Sequence, residues 1–137
     1  MKLSIPICVL FFSIPAVSAP VASGKLVLSK ELSVKAKGIR TVFITVKDPK
    51  AAMPMPCAAQ KFTLTKDAEG DFLTFSLETG SLMMMACQEI PEMLNLKAKL
   101  DKDGSAGPDS SGDLVGTLNG IKKGSKNLKI ELTKVIE

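Results

Sequence analysis

Residues 93–100 read Met93-Leu94-Asn95-Leu96-Lys97-Ala98-Lys99-Leu100. Apolar and polar side chains alternate with period two. On a strand that spacing sends Leu94, Leu96, Ala98 and Leu100 to one face and Asn95, Lys97 and Lys99 to the other. A helix would scatter the same leucines around its circumference. This stretch therefore predicts a half-buried β-strand with a core face and a wet face.

The pattern recurs on both sides of it. Thr41-Val42-Phe43-Ile44-Thr45-Val46-Lys47 is rich in β-branched residues and ends at Asp48-Pro49. Further candidates are Lys25–Ser29, Ala58–Thr65 with Phe62 and Leu64 on one face, Phe72–Leu77, Leu114–Leu118 and Asn127–Val135. In the last, Leu128, Ile130 and Leu132 point inward. Turn-forming residues separate the runs, notably Asp67–Asp71 and the polar loop from Asp101 to Gly112. Only residues 29–37 admit a helical turn. Seven short strands in a chain of this size predict an all-β fold, an antiparallel immunoglobulin-like β-sandwich. The Cys-Trp-Cys core of antibody domains is absent, since the chain has no Trp.

The first residues read differently. Lys2 precedes an apolar run from Leu3 to Ile14, and Val17-Ser18-Ala19 supplies the small residues of a cleavage site. Residues 1–19 are expected to be a secretory signal peptide, too short for a membrane anchor. Cleavage falls after Ser18 or Ala19, because Pro20 disfavours the latter. Ile7 before Cys8 is too bulky for a lipoprotein site. About 118 residues then remain, the size of a single domain spanning 20–137 with no membrane span in the mature form. The expected location is the periplasm or the exterior.

Loss of Lys2 lowers the formal net charge from +4 to +3. The lysines are spread along the strands, and no Trp or Tyr is present to stack on bases, so nucleic acid is not an expected partner. There is no histidine. That removes the usual acid–base residue, the commonest metal ligand and every Ser-His or Cys-His nucleophile pair. Ser110 and Ser111 have no base near them in sequence. No catalytic set is expected, and the chain reads as a non-enzyme.

Sulfur is the unusual element. Met53-Pro54-Met55-Pro56-Cys57 and Met83-Met84-Met85-Ala86-Cys87 both fit M-x-M-x-C, and every methionine except the initiator lies between Met53 and Met93. Three readings stay open. Cys57 and Cys87 can form a disulfide, which persists after export and closes a loop of about 30 residues. Thiolates and thioethers of Met53, Met55, Cys57, Met83, Met85 and Cys87 can hold Cu(I), a soft ion. The methionines can instead be flexible apolar filling at the end of the sandwich. Positions i and i+4 of a strand lie roughly 13 Å apart, so a metal site needs sulfurs from both segments. Pro54 and Pro56 also push the first segment toward polyproline II geometry. A disulfide and a thiolate copper site exclude each other at any moment, so a Cu(I)-binding periplasmic protein and a structural envelope domain with an inert disulfide stand as separate alternatives to a binding or accessory module. With no metal assumed, no cofactor is expected.

Two acidic patterns have plainer readings. Asp101, Asp103 and Asp109 with Gly104 do not match calcium-loop spacing and lack a closing glutamate, so a solvated turn is expected. Asp113, in Gly112-Asp113-Leu114-Val115-Gly116, is expected to bond local backbone at a strand start.

Taken in order, several segments resemble one family. Ser23–Ser29 followed by Glu31-Leu32 is similar to an opening strand G-x-V-x-L-S/D-x-E-L. Thr41–Ile44 is similar to T-L-F-V/I. Met55–Lys61 resembles G-P-P-M-P-L-A-V/A-K-R, and Ser81–Met85 resembles D-S-M-M-P. Leu100–Ala106 resembles R-L-S-x-S-G-x-A, and Gly112–Gly116 resembles G-D-L-x-G. The ordered set resembles the C-terminal Ig-like domain of the periplasmic cytochrome c biogenesis protein that presents apocytochrome for haem attachment. In that family the domain follows a helical TPR array and a membrane-anchoring region. Neither is expected here, so the resemblance implies a stand-alone exported accessory module. It implies a periplasmic protein partner among cytochrome c maturation components, such as a haem-lyase component or apocytochrome. It also assigns Gly112, Asp113, Leu114 and Gly116 a structural role. Cys57 and Cys87 depart from the family pattern, which has an apolar residue at the first place and no cysteine at the second.

Overall fold

A computed structural model describes residues 20–51, 55–105 and 107–137. The expected signal peptide, together with Met53 and Pro54, lies outside the described residues. Two sheets face each other. One has three strands, β4 (Gly70–Leu77), β1 (Ala22–Leu28) and β8 (Ser125–Leu132), in that order. The other has six: β5 (Met83–Met84), β3 (Ala58–Thr63), β2 (Thr41–Lys47), β6 (Met93–Asp101), β7 (Leu114–Lys122) and β9 (Lys134–Val135). All pairings are antiparallel except β1 with β8. This is the immunoglobulin-like sandwich that the alternation predicts. A short helix α1 (Lys30–Ser33) follows β1, capped by the Ser29 hydroxyl accepting the Leu32 amide.

β6 carries the core as its pattern requires. Leu94, Leu96, Ala98 and Leu100 are all buried. They meet Val42, Ile44 and Val46 of β2 and, across the sandwich, Leu26, Leu28, Phe75, Leu77, Ile130 and Leu132. Each fully buried leucine or isoleucine contributes about 2 kcal/mol by transfer from water. No helix among the described residues is long and apolar enough to cross a membrane.

Two strand readings are corrected and one strand, β5, is added. The Asn127–Val135 run is two strands, β8 and β9, in different sheets. At Thr133 the chain crosses over, its amide donating to the Val115 carbonyl at 3.0 Å. The alternation changes phase there, with Lys134 at the next inward position and Val135 at the outward one. β7 runs four residues further than its apolar part, to Lys122, where Lys123-Gly124 turns the chain toward the three-stranded sheet. β5, only two residues, pairs Met83 with Ala59 and Met84 with Ala58.

Glycine sets how closely the strands approach. A Cβ on Gly116 would collide with the backbone of Glu131 and Leu132, where β7 passes β8. A Cβ on Gly24 would strike the Leu128 carbonyl, where β8 bulges at Asn127 with φ 58°. In both cases the obstacle is backbone, which cannot rotate away. Gly116→Ala is therefore expected to destabilise the fold by about 2–3 kcal/mol, as overpacking does, measured by urea unfolding. Gly80→Ala, which meets nothing within 4 Å, is the control.

Candidate functional site

The loop between β6 and β7 is built on aspartates. Asp113 is fully buried. Its two carboxylate oxygens accept the Lys102 and Ser110 amides, both at 2.8 Å, tying the two ends of the loop together. Asp101, also buried, accepts the amides of Asp103 and Gly104 at 3.1 Å. Gly112 sits at φ 92°, a conformation that costs glycine little, and its amide donates to the Ile136 carbonyl. Leu114 enters the core, and Gly116 makes the close approach already described. The whole Gly112–Gly116 motif thus starts a strand and closes a loop.

So fixed, the loop returns over the outer face of the six-stranded sheet. Lys99 donates to the Gly107 carbonyl at 2.9 Å. Its ammonium also lies 3.4 Å from Asp101 and 3.6 Å from Asp109. Lys97 donates to Asp109 at 2.6 Å. This corrects two expectations. Lys99, placed on a wet face by alternation, is only 6% exposed. Its cross-strand neighbours Phe43 and Val115 are buried as well. The solvated turn is instead a charged cluster against the sheet. A cation buried here requires a carboxylate partner, and leaving it with none costs about 3 kcal/mol or more. Among the described residues no group of His, Cys, Asp and Glu has a metal-binding arrangement.

The carboxyls differ in acidity. Burial, then hydrogen bonding with Asp103 and the charge of Asp113, pushes the Asp101 carboxyl above its ordinary range, against the pull of Lys99. Burial raises Asp109 too, but Lys97 and Lys99 outweigh it and hold that carboxyl below the ordinary range. The signs in folding are opposite. Asp109 adds stability that is present above the unfolded carboxylate pKa and lost as pH falls through the lower folded value. Asp101 adds stability that is present in acid and lost as pH rises through its raised value.

The sulfur residues form the far wall. Cys57 and Cys87 are joined in a disulfide across a sequence separation of 30. Cys57 is buried and donates its amide to the Val46 carbonyl, while its own carbonyl accepts the Met85 amide at 2.7 Å. The link therefore ties the β5 segment to β3 and β2. In this state neither sulfur is a thiolate, so a Cu(I) site would have only thioethers to draw on. Met53 lies outside the described residues. Met55, Met83 and Met85 are 51%, 69% and 48% exposed, with Met84 and Met93 also exposed. This overturns the filling role for the described methionines, which are surface, not core. For Met83 and Met84 edge position contributes, since β5 is the last strand of its sheet among the described residues.

Between the loop and this wall runs a groove of about 440 Å³, which Met55, Pro56 and Met85 share with Pro108 and Asp109. Phe43, Thr45 and Ala59 face it from the sheet, with Lys47, Lys97 and Lys99. A second concavity, about 550 Å³, lies on the three-stranded sheet around Lys25, Thr74 and Lys129, away from the sulfurs. The strand pattern put Lys97 and Lys99 on the wet face without marking them or the loop as a site. The spacing Lys97-x-Lys99-x-Asp101 followed by Asp103, Asp109 and Asp113 is a sequence signal that could have found them.

Two facing sheets, a loop folded back on one of them and a cystine at the edge define an immunoglobulin-like domain with a surface groove. More specifically, the chain belongs to the family of the Ig-like domain of cytochrome c-type biogenesis protein H, whose family model matches residues 23–133. No curated protein and no solved structure matches it. The family makes the domain an accessory module of cytochrome c biogenesis.

Closure of a loop of this length stabilises by about 3.5 kcal/mol in the chain-entropy account. The Cys57→Ala/Cys87→Ala double variant is expected to lose roughly that much in urea unfolding. Wild type should show no free thiol by mass after alkylation without denaturant. Cys57 is buried and Cys87 only half-buried, so dithiothreitol should enter by attack on Cys87, more slowly in the folded protein than in urea.

Proposed function

We propose that the chain is a non-enzymatic interaction module that docks a protein partner in the periplasm during cytochrome c maturation. The observation that carries this is the exposed methionine edge beside the groove. Exposed apolar side chains gathered at one edge mark contact surfaces in soluble domains. Methionine suits the task because its unbranched thioether repacks against differing partners. The cystine supports the reading by holding this edge in one shape, so little ordering entropy is lost on docking. The family supports the setting, with haem-lyase components and apocytochrome as candidate partners. The want of histidine supports a role without catalysis.

The test is photo-cross-linking in the periplasm of a strain that makes cytochrome c. A photoreactive residue replaces Met85 at the groove wall in one variant and Lys129 on the opposite sheet in another. Adducts with a maturation component, identified by mass spectrometry, are expected from position 85 alone. Equal adducts from both positions, or none from 85, would overturn the reading.

A further inference from the structure

The groove has an unusual balance of charge. Its walls are apolar, from Met55, Pro56 and Met85 on one side and Pro108 on the other. Its lining carries three ammonium groups, Lys47, Lys97 and Lys99, and one carboxylate, Asp109. That single carboxylate serves two lysines, at 2.6 Å from Lys97 and 3.6 Å from Lys99. It is also dispensable to the loop. The loop ends are held by Asp113, its first turn by Asp101, and its middle by Lys99 on the Gly107 carbonyl. Lys99 keeps Asp101 whatever Asp109 does. Lys97, by contrast, is 27% exposed along its side chain, within reach of an entering anion.

We propose that the groove takes the C-terminal end of a partner polypeptide, whose free carboxylate replaces that of Asp109 on Lys97. The last apolar side chain of the partner lies against Phe43, Met55 and Met85. This rests on the reading of the chain as a protein-docking module and adds what part of the partner is gripped. Charge complementarity carries the choice of a carboxylate. One carboxylate exchanged for another leaves the lysines paired throughout, avoiding the penalty of an unpaired cation in a partly dry site. Its volume suits a few residues in extended form. Lys47 in the lining favours a chain of amides, which offers it carbonyl acceptors, over an alkyl chain, which offers none. Capture of a terminal carboxylate is a known mode of peptide recognition.

The probe is a fluorescein-labelled pool of hexapeptides ending in Leu, Ile, Val, Met or Phe as the free acid, with the same pool amidated. Binding to the oxidised wild-type protein is read by fluorescence polarisation. The acid pool is expected to bind at least tenfold more tightly than the amide pool. Asp109→Asn should tighten acid binding several-fold, because Lys97 loses its internal competitor. Lys97→Met should bring acid and amide to equal affinity. Urea unfolding of each variant confirms that it is folded. As an independent readout, acid peptides should shift the Gly107 amide resonance in wild type. Equal binding of the two pools, no binding of either, or weaker acid binding by folded Asp109→Asn would overturn the proposal. If cross-linking from position 85 succeeds while the acid pool shows no preference, this inference fails and the docking reading stands. If that cross-linking fails, the docking reading falls whatever the peptides do.

Discussion

The buried carboxylate of Asp113 is the constraint on which the outer face depends. A charge with no exposed surface must be repaid by hydrogen bonds. Here they come from the Lys102 and Ser110 amides, one at each end of the β6–β7 loop. Satisfying one carboxylate thus closes the loop and lays it across the sheet. Once there, the loop brings Gly107 and Asp109 over Lys99 and Lys97. A lysine that would otherwise reach into water becomes part of a covered, charged layer, and the space left beside it is the groove.

The two ends of that groove are fixed by different physics. On the loop side, charge and hydrogen bonds set the position, so pH and salt bear on it. On the methionine side a covalent link does. The cystine ties a two-residue edge strand, too short to hold its register alone, to the strand beside it. An edge strand offers unpaired backbone to any other strand, and keeping it this short limits unwanted pairing. What remains exposed is side-chain sulfur, adaptable in shape and uncharged. A surface of that kind beside ammonium groups suits an apolar chain with an anionic end.

Much of the fold was legible from residues 93–100 and 41–47, because period-two alternation reports which face a side chain takes. It does not report depth. Lys99 sits on the face its position assigns, yet it is buried, because the loop that follows its own strand folds back over it. Just past Thr133 the alternation loses its phase, with Lys134 where an inward residue is due, and that is where the backbone leaves one sheet for the other. The cysteines were recognisable as a possible pair, but spacing does not determine connectivity, and only the antiparallel pairing of β5 with β3 brings them together. The methionines read as core because they are apolar. The exposure of Met83 and Met84 accompanies edge position, a property of strand order that no local pattern encodes. Asp113 was legible as a backbone-bonding residue, while its burial and its reach to Lys102 were not.

Hydrogen exchange at the Lys102 and Ser110 amides tests the central claim most directly. If the Asp113 carboxylate anchors the loop, both amides open only with the fold as a whole, and their exchange should be as slow as that of core-strand amides such as Ile44. Exchange of either amide at the rate of an open loop, with Ile44 still protected, would contradict the account.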